Sequence, residues 1–171
     1  MKKTLLSLLL SLTLASCFHT PSPPPSTNSP QTEQTKSEPS QPAPAGYTGD
    51  QLAGNSAPLL DFNQADYERA LLEYPFVFLY FYANWCPICL EEVPNALYPA
   101  FNQLDSDQII GFRVNFKDSA TDRDEQELAR QFAVPYQHFK LILKDGQPVF
   151  NSNQEWTTQD YLDNIDSIIT Y

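Results

Sequence analysis

The chain has 171 residues, a formal net charge of -11 at pH 7 and an aromatic content of 13%. This length accommodates one domain of ordinary size together with additional segments. The acidic charge argues against nucleic acid as a partner, because its phosphates would be repelled. The aromatic content indicates a packed core, which excludes a wholly disordered protein.

Residues 1–16 have the pattern of an export signal. Two lysines follow Met1, and the apolar run over 5–14 is too short to cross a hydrocarbon core about 30 Å thick. The run leads into LASC, which ends at Cys17 and resembles the lipobox of bacterial lipoproteins. The resemblance implies that the signal is removed before Cys17 and that Cys17 carries the lipid. We therefore expect a lipid-anchored protein of the cell envelope, facing the periplasm or the cell surface. A secretory signal that ends in an unmodified cysteine is the alternative.

Residues 17–57 are predicted to form a flexible tether rich in proline, serine and threonine. Nine of the 15 prolines lie at or before Pro58. The segment has no helix or strand period and too little apolar surface to offset the entropy of ordering it. The folded domain is therefore expected to span 58–171. The same composition also fits a wall-crossing spacer or a glycosylated stalk.

Eight elements are predicted after the tether from alternating helical and strand periodicity. They are, in chain order, a helix over 64–73 capped by Asn63, a strand over 76–82, a helix over 87–104, a strand over 109–116, a helix over about 122–132, a strand over 139–144, a strand after the Asp145-Gly146 turn and a helix capped by Thr157 or Thr158. This order requires a right-handed crossover between parallel strands, followed by an antiparallel hairpin. We predict an α/β fold with a mixed central sheet and helices on both faces.

Two cysteines lie where the apolar strand FVFLYFY passes into the next helix. At a helix start, unpaired N–H groups and the helix dipole favour an anion. Lowering a thiol pKa from about 8.5 to about 7 requires roughly 2 kcal/mol, whereas the dipole supplies only about 0.3–1 kcal/mol. Hydrogen bonds to the sulfur must therefore contribute. Cys86, before the helix, is the predicted nucleophile, and Cys89, one turn inside, is the predicted resolving thiol. Pro87 suits the first helical turn, where no N–H is needed.

Two other roles compete for the cysteine pair. A structural zinc site needs four ligands, and beyond Cys86 and Cys89 the chain offers only His138 and His19, so such a site is disfavoured. An inert disulfide remains an alternative, although so small a ring gains little loop entropy.

The segment FYANWCPIC, which ends at Cys89, resembles the active-site segment of the thioredoxin superfamily. Glu92 and Pro94 extend the likeness to the CxxCxxExP pattern of the membrane-anchored TlpA/ResA-like thiol-disulfide oxidoreductases. The resemblance covers about 60–171. It implies a thioredoxin fold, a glutamate (Glu92) that tunes the cysteines and a proline (Pro94) that kinks the helix.

The resemblance also implies how the protein works with others. The redox-active Cys86–Cys89 disulfide would be the redox group, with no other cofactor. The expected partners are proteins with a disulfide or dithiol and an upstream membrane electron donor or acceptor, with the protein acting as a monomer. The residues expected to form the docking surface are Trp85, Pro87, Tyr136 and His138. The direction of exchange is left open, because the partner's potential decides it.

Two positions depart from the family pattern. The buried aspartate of thioredoxin is replaced by Tyr80, which makes Glu92 the candidate for proton transfer. Counting back from the Asp145-Gly146 turn without gaps places His138 at the family's cis-proline position, whereas Pro135 would require three extra residues. A non-proline cis peptide costs about 2.5–4 kcal/mol, so a trans peptide is expected there.

A histidine facing the dithiol would permit a second function. Thiolates and imidazole together suit copper(I) or zinc. Cys86, Cys89 and His138 therefore define the alternative hypothesis, a lipid-anchored copper-binding or metal-delivery module.

Overall fold

The computed structural model describes residues 43–170. The predictions for the signal over 1–16, for lipidation of Cys17 and for most of the tether fall outside this range. Within residues 43–170, no helix has both the length and the hydrophobicity needed to cross a membrane.

The central element is a six-stranded mixed sheet in the order β1-β2-β4-β3-β5-β6. The strands are β1 (Gln51–Ala53), β2 (Leu59–Asp61), β3 (Phe76–Tyr82), β4 (Ile109–Asn115), β5 (Phe139–Lys144) and β6 (Gln147–Ser152). β4 runs parallel to both β2 and β3, while β5 pairs antiparallel with β3 and with β6. The predicted parallel pair and antiparallel hairpin are confirmed.

Helices cover both faces of this sheet. They are α1 (Gln64–Glu73), α2 (Pro87–Glu92), a π-helical segment (Val93–Leu97), α3 (Tyr98–Gln103), α4 (Arg123–Gln131) and α5 (Thr158–Ile169). Side chains from α1 and α4 pack in one buried cluster, and those from α2 to α3 and from α5 pack in another that contains both cysteines. The predicted α/β class with two covered faces is confirmed.

The first two strands were not predicted from the sequence. β1 lies in the stretch assigned to the tether, and it pairs antiparallel with β2 through Ala53 and Leu59. β2 in turn pairs parallel with β4, with Leu60 opposite Phe112. Both strands have three residues, too few to show the period of two by which strands are recognised. The prediction that no strand precedes residue 58 is therefore wrong.

The helix predicted over 87–104 is interrupted in its middle. Pro94 has no N–H to donate, and the N–H of Tyr98 bonds to the carbonyl of Val93, five residues earlier. This is the hydrogen bond of a π turn, which often marks a functional site. The expected irregularity at Pro94 is present, and it separates α2, which carries the cysteines, from α3.

Candidate active site

The two cysteines lie at the junction predicted for them. Cys86 is the N-cap of α2 in extended conformation, and Pro87 occupies the first turn. The N–H of Cys89 donates to Sγ of Cys86 at 3.3 Å, a hydrogen bond to sulfur at the start of the helix. Both are free thiols.

The two thiols are both buried, although their positions before and inside the helix suggested that Cys86 would be clearly more exposed. Cys86 is 3% exposed and Cys89 is fully buried, so Cys86 is the more accessible sulfur but only marginally so. Burial raises the pKa of Cys89 to about 12. The slightly greater exposure of Cys86 favours it as the attacking group. The raised pKa leaves Cys89 protonated at rest.

Glu92 lies at the centre of a buried polar network below the dithiol. Its side chain has no solvent exposure. It accepts a hydrogen bond from the Tyr80 hydroxyl at 2.9 Å, and Nδ1 of His138 lies 2.7 Å from Oε2. Its other contacts are the backbone N–H of Trp156 at 2.8 Å, the hydroxyl of Tyr161 at 2.9 Å and Nζ of Lys140 at 2.9 Å.

Lys140 is a fully buried cation in this network. Its Nζ contacts Glu92 and donates to the carbonyl of Gln154 at 2.7 Å. The ammonium also lies within 5.7 Å of three ring centroids, those of Tyr80, Trp156 and Tyr161. Burial lowers the pKa of Lys140, while the negative charge of Glu92 acts against that shift. A buried charge survives only with such partners.

His138, rather than Pro135, occupies the inner position before β5. Its ring is buried against Glu92 and Tyr80, and its backbone N–H bonds to the carbonyl of Phe81. Pro135 is exposed, and its carbonyl accepts from Lys117. His138 has φ of 69°, an uncommon backbone conformation for a residue with a side chain.

Tyr80 is a part of the site whose role the sequence analysis missed. It was named there only as the residue that replaces the buried aspartate of thioredoxin. It is fully buried, and its hydroxyl donates to Glu92 at 2.9 Å and lies 3.3 Å from Nδ1 of His138. Lys140 was missed as well, although one signal was available. It is a lysine inside the otherwise apolar strand FKLILK, where an unpaired charge is not tolerated.

The residues proposed for a metal site are not brought together as ligands. Within residues 43–170, no group of three or more His, Cys, Asp or Glu side chains has an arrangement that could hold a metal ion. The inner nitrogen of His138 is committed to Glu92. The geometry therefore gives no support to the copper or zinc alternative.

Exposed apolar side chains follow and precede the cysteines along the chain, and together with Tyr136 we call them the apolar rim. Trp85 is 53% exposed, as expected, and its indole N–H bonds to the carbonyl of Lys117 at 3.0 Å. Pro87 and Tyr136 are also exposed, whereas His138 is buried. Ile88 and Leu90, which the sequence reasoning did not single out, add exposed apolar surface on α2.

Comparison with known proteins identifies the fold but no close relative. No protein-family model matches the chain, and no curated protein matches it. Among solved structures, the chain is similar to the Trxlp protein of Edwardsiella tarda at 23% identity and a TM-score of 0.51, over 66% of this chain and 99% of that one.

Two other solved structures show the same similarity. A mutant thioredoxin of Halobacterium salinarum is 22% identical with a TM-score of 0.51, over 67% of this chain and 93% of its own. The DsbH oxidoreductase is 17% identical with a TM-score of 0.54, over 69% of this chain and 87% of its own. The chain thus has a thioredoxin-like fold with a CxxC pair at the start of a helix.

Proposed function

We propose that this protein is a thiol-disulfide oxidoreductase that exchanges its Cys86–Cys89 pair with disulfides or dithiols of partner proteins. The observation that carries the proposal is the N–H of Cys89 directed at Sγ of Cys86 at 3.3 Å. This donor, together with the helix start, stabilises a thiolate on the outer cysteine.

The chemistry follows two displacements. The Cys86 thiolate attacks one sulfur of the partner disulfide, a new S–S bond forms, and the electron pair of the broken bond stays on the second partner sulfur, which takes up a proton. Cys89 then attacks Sγ of Cys86, which closes the Cys86–Cys89 disulfide and releases the first partner sulfur as a thiolate that is protonated in turn. Two electrons have passed to the partner. The reverse sequence oxidises a partner dithiol, and the relative potentials set the direction.

The proposed place of this reaction is the extracytoplasmic face of the cell envelope, in the manner of the TlpA/ResA-like proteins. A lipid on Cys17 would hold the chain at the membrane. The stretch between Cys17 and residue 43 would give a flexible tether of about 25 residues with a root-mean-square reach of about 28 Å, so the domain would meet partners within a few nanometres of the membrane. A membrane electron donor or acceptor would restore the dithiol state.

The test is the reduction of insulin disulfides by dithiothreitol in the presence of the full chain. We expect acceleration by the native chain, none by Cys86→Ser, and a stable mixed disulfide with the partner in Cys89→Ser. Cys17→Ser is the matched control, because it removes a cysteine outside the proposed dithiol. Activity retained in Cys86→Ser would overturn the mechanism, and a Cys89→Ser variant that traps nothing would reverse the assigned order.

A further inference from the structure

We infer that a cavity beside the active-site segment receives an apolar side chain and a neighbouring carboxylate of the partner protein, close in sequence to the partner's reacting cysteine. This inference rests on the proposed function and deepens it by stating which partner segments the protein prefers. The cavity has a volume of about 620 Å³ and lies between the end of β4 and helix α4. Neither cysteine lines it, and neither does any residue that contacts Glu92.

The buried part of the cavity wall is apolar. Phe116, Ala129 and Val134 line the cavity and belong to the buried cluster beneath α1 and α4. The volume lies within the range of about 300–1,000 Å³ that is typical of ligand pockets, so the cavity accommodates one large side chain of a partner. An apolar side chain that enters it leaves water, which favours binding.

The exposed part of the wall carries two cations, although the chain has 21 acidic and only 10 basic residues. These cations are Lys117 and Arg130. Nζ of Lys117 lies 4.6 Å from the centroid of the Phe116 ring and donates to the carbonyl of Pro135 at 3.3 Å, but it has no carboxylate partner in the described part of the chain. An ammonium has three donors, so two remain for an anion. Arg130 has only a long surface ion pair, with Glu127 at 3.7 Å, and such pairs are weak.

Asp118 also lines the cavity, but its carboxylate is engaged by the protein itself. Oδ1 accepts from the N–H of Ala120, the N–H of Thr121 and the hydroxyl of Thr121. Oδ2 accepts from the N–H of Asn84 at 2.8 Å. These four donors match the capacity of a carboxylate. Two cations and one such anion leave the wall with a formal charge of +1, so it attracts a carboxylate that an acidic surface elsewhere on the chain would repel.

The loop that carries Lys117 and Asp118 also holds the segment before Cys86. The N–H of Asn84 donates to Asp118, and the indole N–H of Trp85 donates to the carbonyl of Lys117 at 3.0 Å. One residue and one indole therefore separate Cys86 from the cavity wall, a span of roughly 13 Å or less that about four residues of extended peptide cover. A partner whose cysteine reaches Cys86 thus brings a nearby side chain to the cavity.

Two residues of the wall have backbone conformations that are uncommon for residues with a side chain. Lys117 has φ of 56° and Ala133 has φ of 50°. Such conformations persist where the surroundings enforce them, and they cluster at binding sites. At Lys117, the hydrogen bonds with Trp85 and Pro135 enforce the conformation from both sides. The cavity is therefore formed before a partner arrives, which reduces the cost of ordering on binding.

The test uses the full chain with Cys17→Ser and Cys89→Ser, which leaves Cys86 as its one cysteine. Nine-residue peptides with a central cysteine are joined chemically to Cys86 as mixed disulfides, with a leucine and a glutamate at the third and fourth positions on either side. We expect nuclear Overhauser contacts between the leucine methyl groups and the side chains of Phe116 and Val134, and no shift of these signals with a matched serine–lysine peptide. Leucine contacts with α2 alone would overturn the inference. Shifts at the cavity that grow with protein concentration without peptide would identify a second copy as the occupant and would also overturn it.

Exchange rates separate recognition at the cavity from an effect on the thiols. The Cys17→Ser chain in its dithiol form is mixed with leucine–glutamate or leucine–lysine peptides whose cysteine is in a mixed disulfide with mercaptoethanol. Each rate is divided by the rate with hydroxyethyl disulfide. We expect the glutamate peptide to react about fivefold faster than the lysine peptide, as one close charge contact implies, and Lys117→Glu to abolish or reverse this preference. Lys144→Glu makes the same change of charge at the other end of the sheet, opposite Phe76 at the start of β3, and should retain the preference.

A preference that persists in Lys117→Glu, or that is lost equally in Lys144→Glu, would overturn the assignment of the cavity. Insulin reduction by a chain that shows no preference between the peptides would remove the cavity and leave the proposed function. Failure to reduce insulin would remove the proposed function, whereas leucine contacts in the chemically prepared mixed disulfide would still place the side chain in the cavity.

Discussion

Nζ of Lys140 lies 2.9 Å from Oε1 of Glu92, and neither side chain is exposed to solvent. The two charges are 48 residues apart in the chain, and each depends on the other. A buried ion pair adds little net stability, but the loss of one partner leaves an uncompensated charge in the core. The pair therefore makes the region below the dithiol sensitive to single substitutions.

Substitution of this lysine tests that dependence. Lys140→Met is expected to lower the free energy of unfolding by about 3–5 kcal/mol, because Glu92 would be left buried without its cation. The matched control is Lys144→Met on the same strand, where the lysine is half-buried and lies over the ring of Phe76. We expect the control to cost about 0.5–1 kcal/mol. Urea unfolding measures both. Equal losses in the two variants would show that Lys140 and Glu92 are not an interdependent pair.

Two carboxyls with lowered pKa, one of them in this network, predict a loss of stability in acid. The pKa of Glu92 is lower in the folded state than its ordinary value, as is that of Asp66, where backbone N–H groups of Gly49 and Thr48 outweigh burial. Carboxyls with lowered pKa contribute stability above their unfolded pKa of about 4 and lose it as the pH falls through the folded value. Glu125, whose pKa is raised by burial, acts in the opposite direction. The free energy of unfolding should therefore fall below a pH of about 4.

Unfolding curves of Asp66→Asn measure this acid dependence. The variant should be less stable than the native chain near neutral pH, with a shallower decline in acid, because it lacks one of the titrating carboxyls. Asp107→Asn, at an exposed position with no hydrogen bond to its side chain among residues 43–170, should follow the native curve. An acid decline in Asp66→Asn as steep as that of the native chain would exclude Asp66 as a contributor.

The sheet from β3 onward and the starts of α1, α2, α4 and α5 were predictable because they depend on local patterns. Asn63 and Thr157 cap their helices as the sequence indicated, and the strand periods needed no knowledge of distant residues. The buried network was not predictable in this way. Glu92 and Tyr161 are 69 residues apart, and only the assembled fold brings their polar atoms together. A charge in an apolar strand, as at Lys140, signals that a partner exists but not which residue it is.

The hydroxyl of Tyr80 is predicted to contribute to the stability of the buried network. Tyr80→Phe keeps the buried ring but removes the donor to Glu92. We expect a loss of about 1.5–3 kcal/mol, the range for hydrogen bonds to charged groups. Thermal unfolding measures the effect.

Tyr67 supplies the matched control for that substitution. It is also a buried tyrosine, but its hydroxyl has no hydrogen-bond partner within residues 43–170. Tyr67→Phe should therefore be neutral or slightly stabilising, because it removes an unsatisfied buried group. If both variants lose the same stability, the Tyr80 hydroxyl has no special part in the network.

The apolar rim leads to a prediction about partner choice. Trp85→Ala removes the largest exposed apolar side chain beside Cys86 without touching either thiol. Proteins that dock through a large aromatic side chain commonly lose about 2 kcal/mol or more when it is truncated. We expect reduction of insulin to slow by about tenfold or more, as such a loss implies, while exchange with a small aromatic disulfide changes little. Leu72→Ala is the control, since Leu72 is 88% exposed on α1, a helix that packs on the opposite face of the sheet from the cysteines. Equal slowing with both substrates would mean that Trp85 acts on the thiols themselves, and equal slowing in Leu72→Ala would remove the rim as the docking surface.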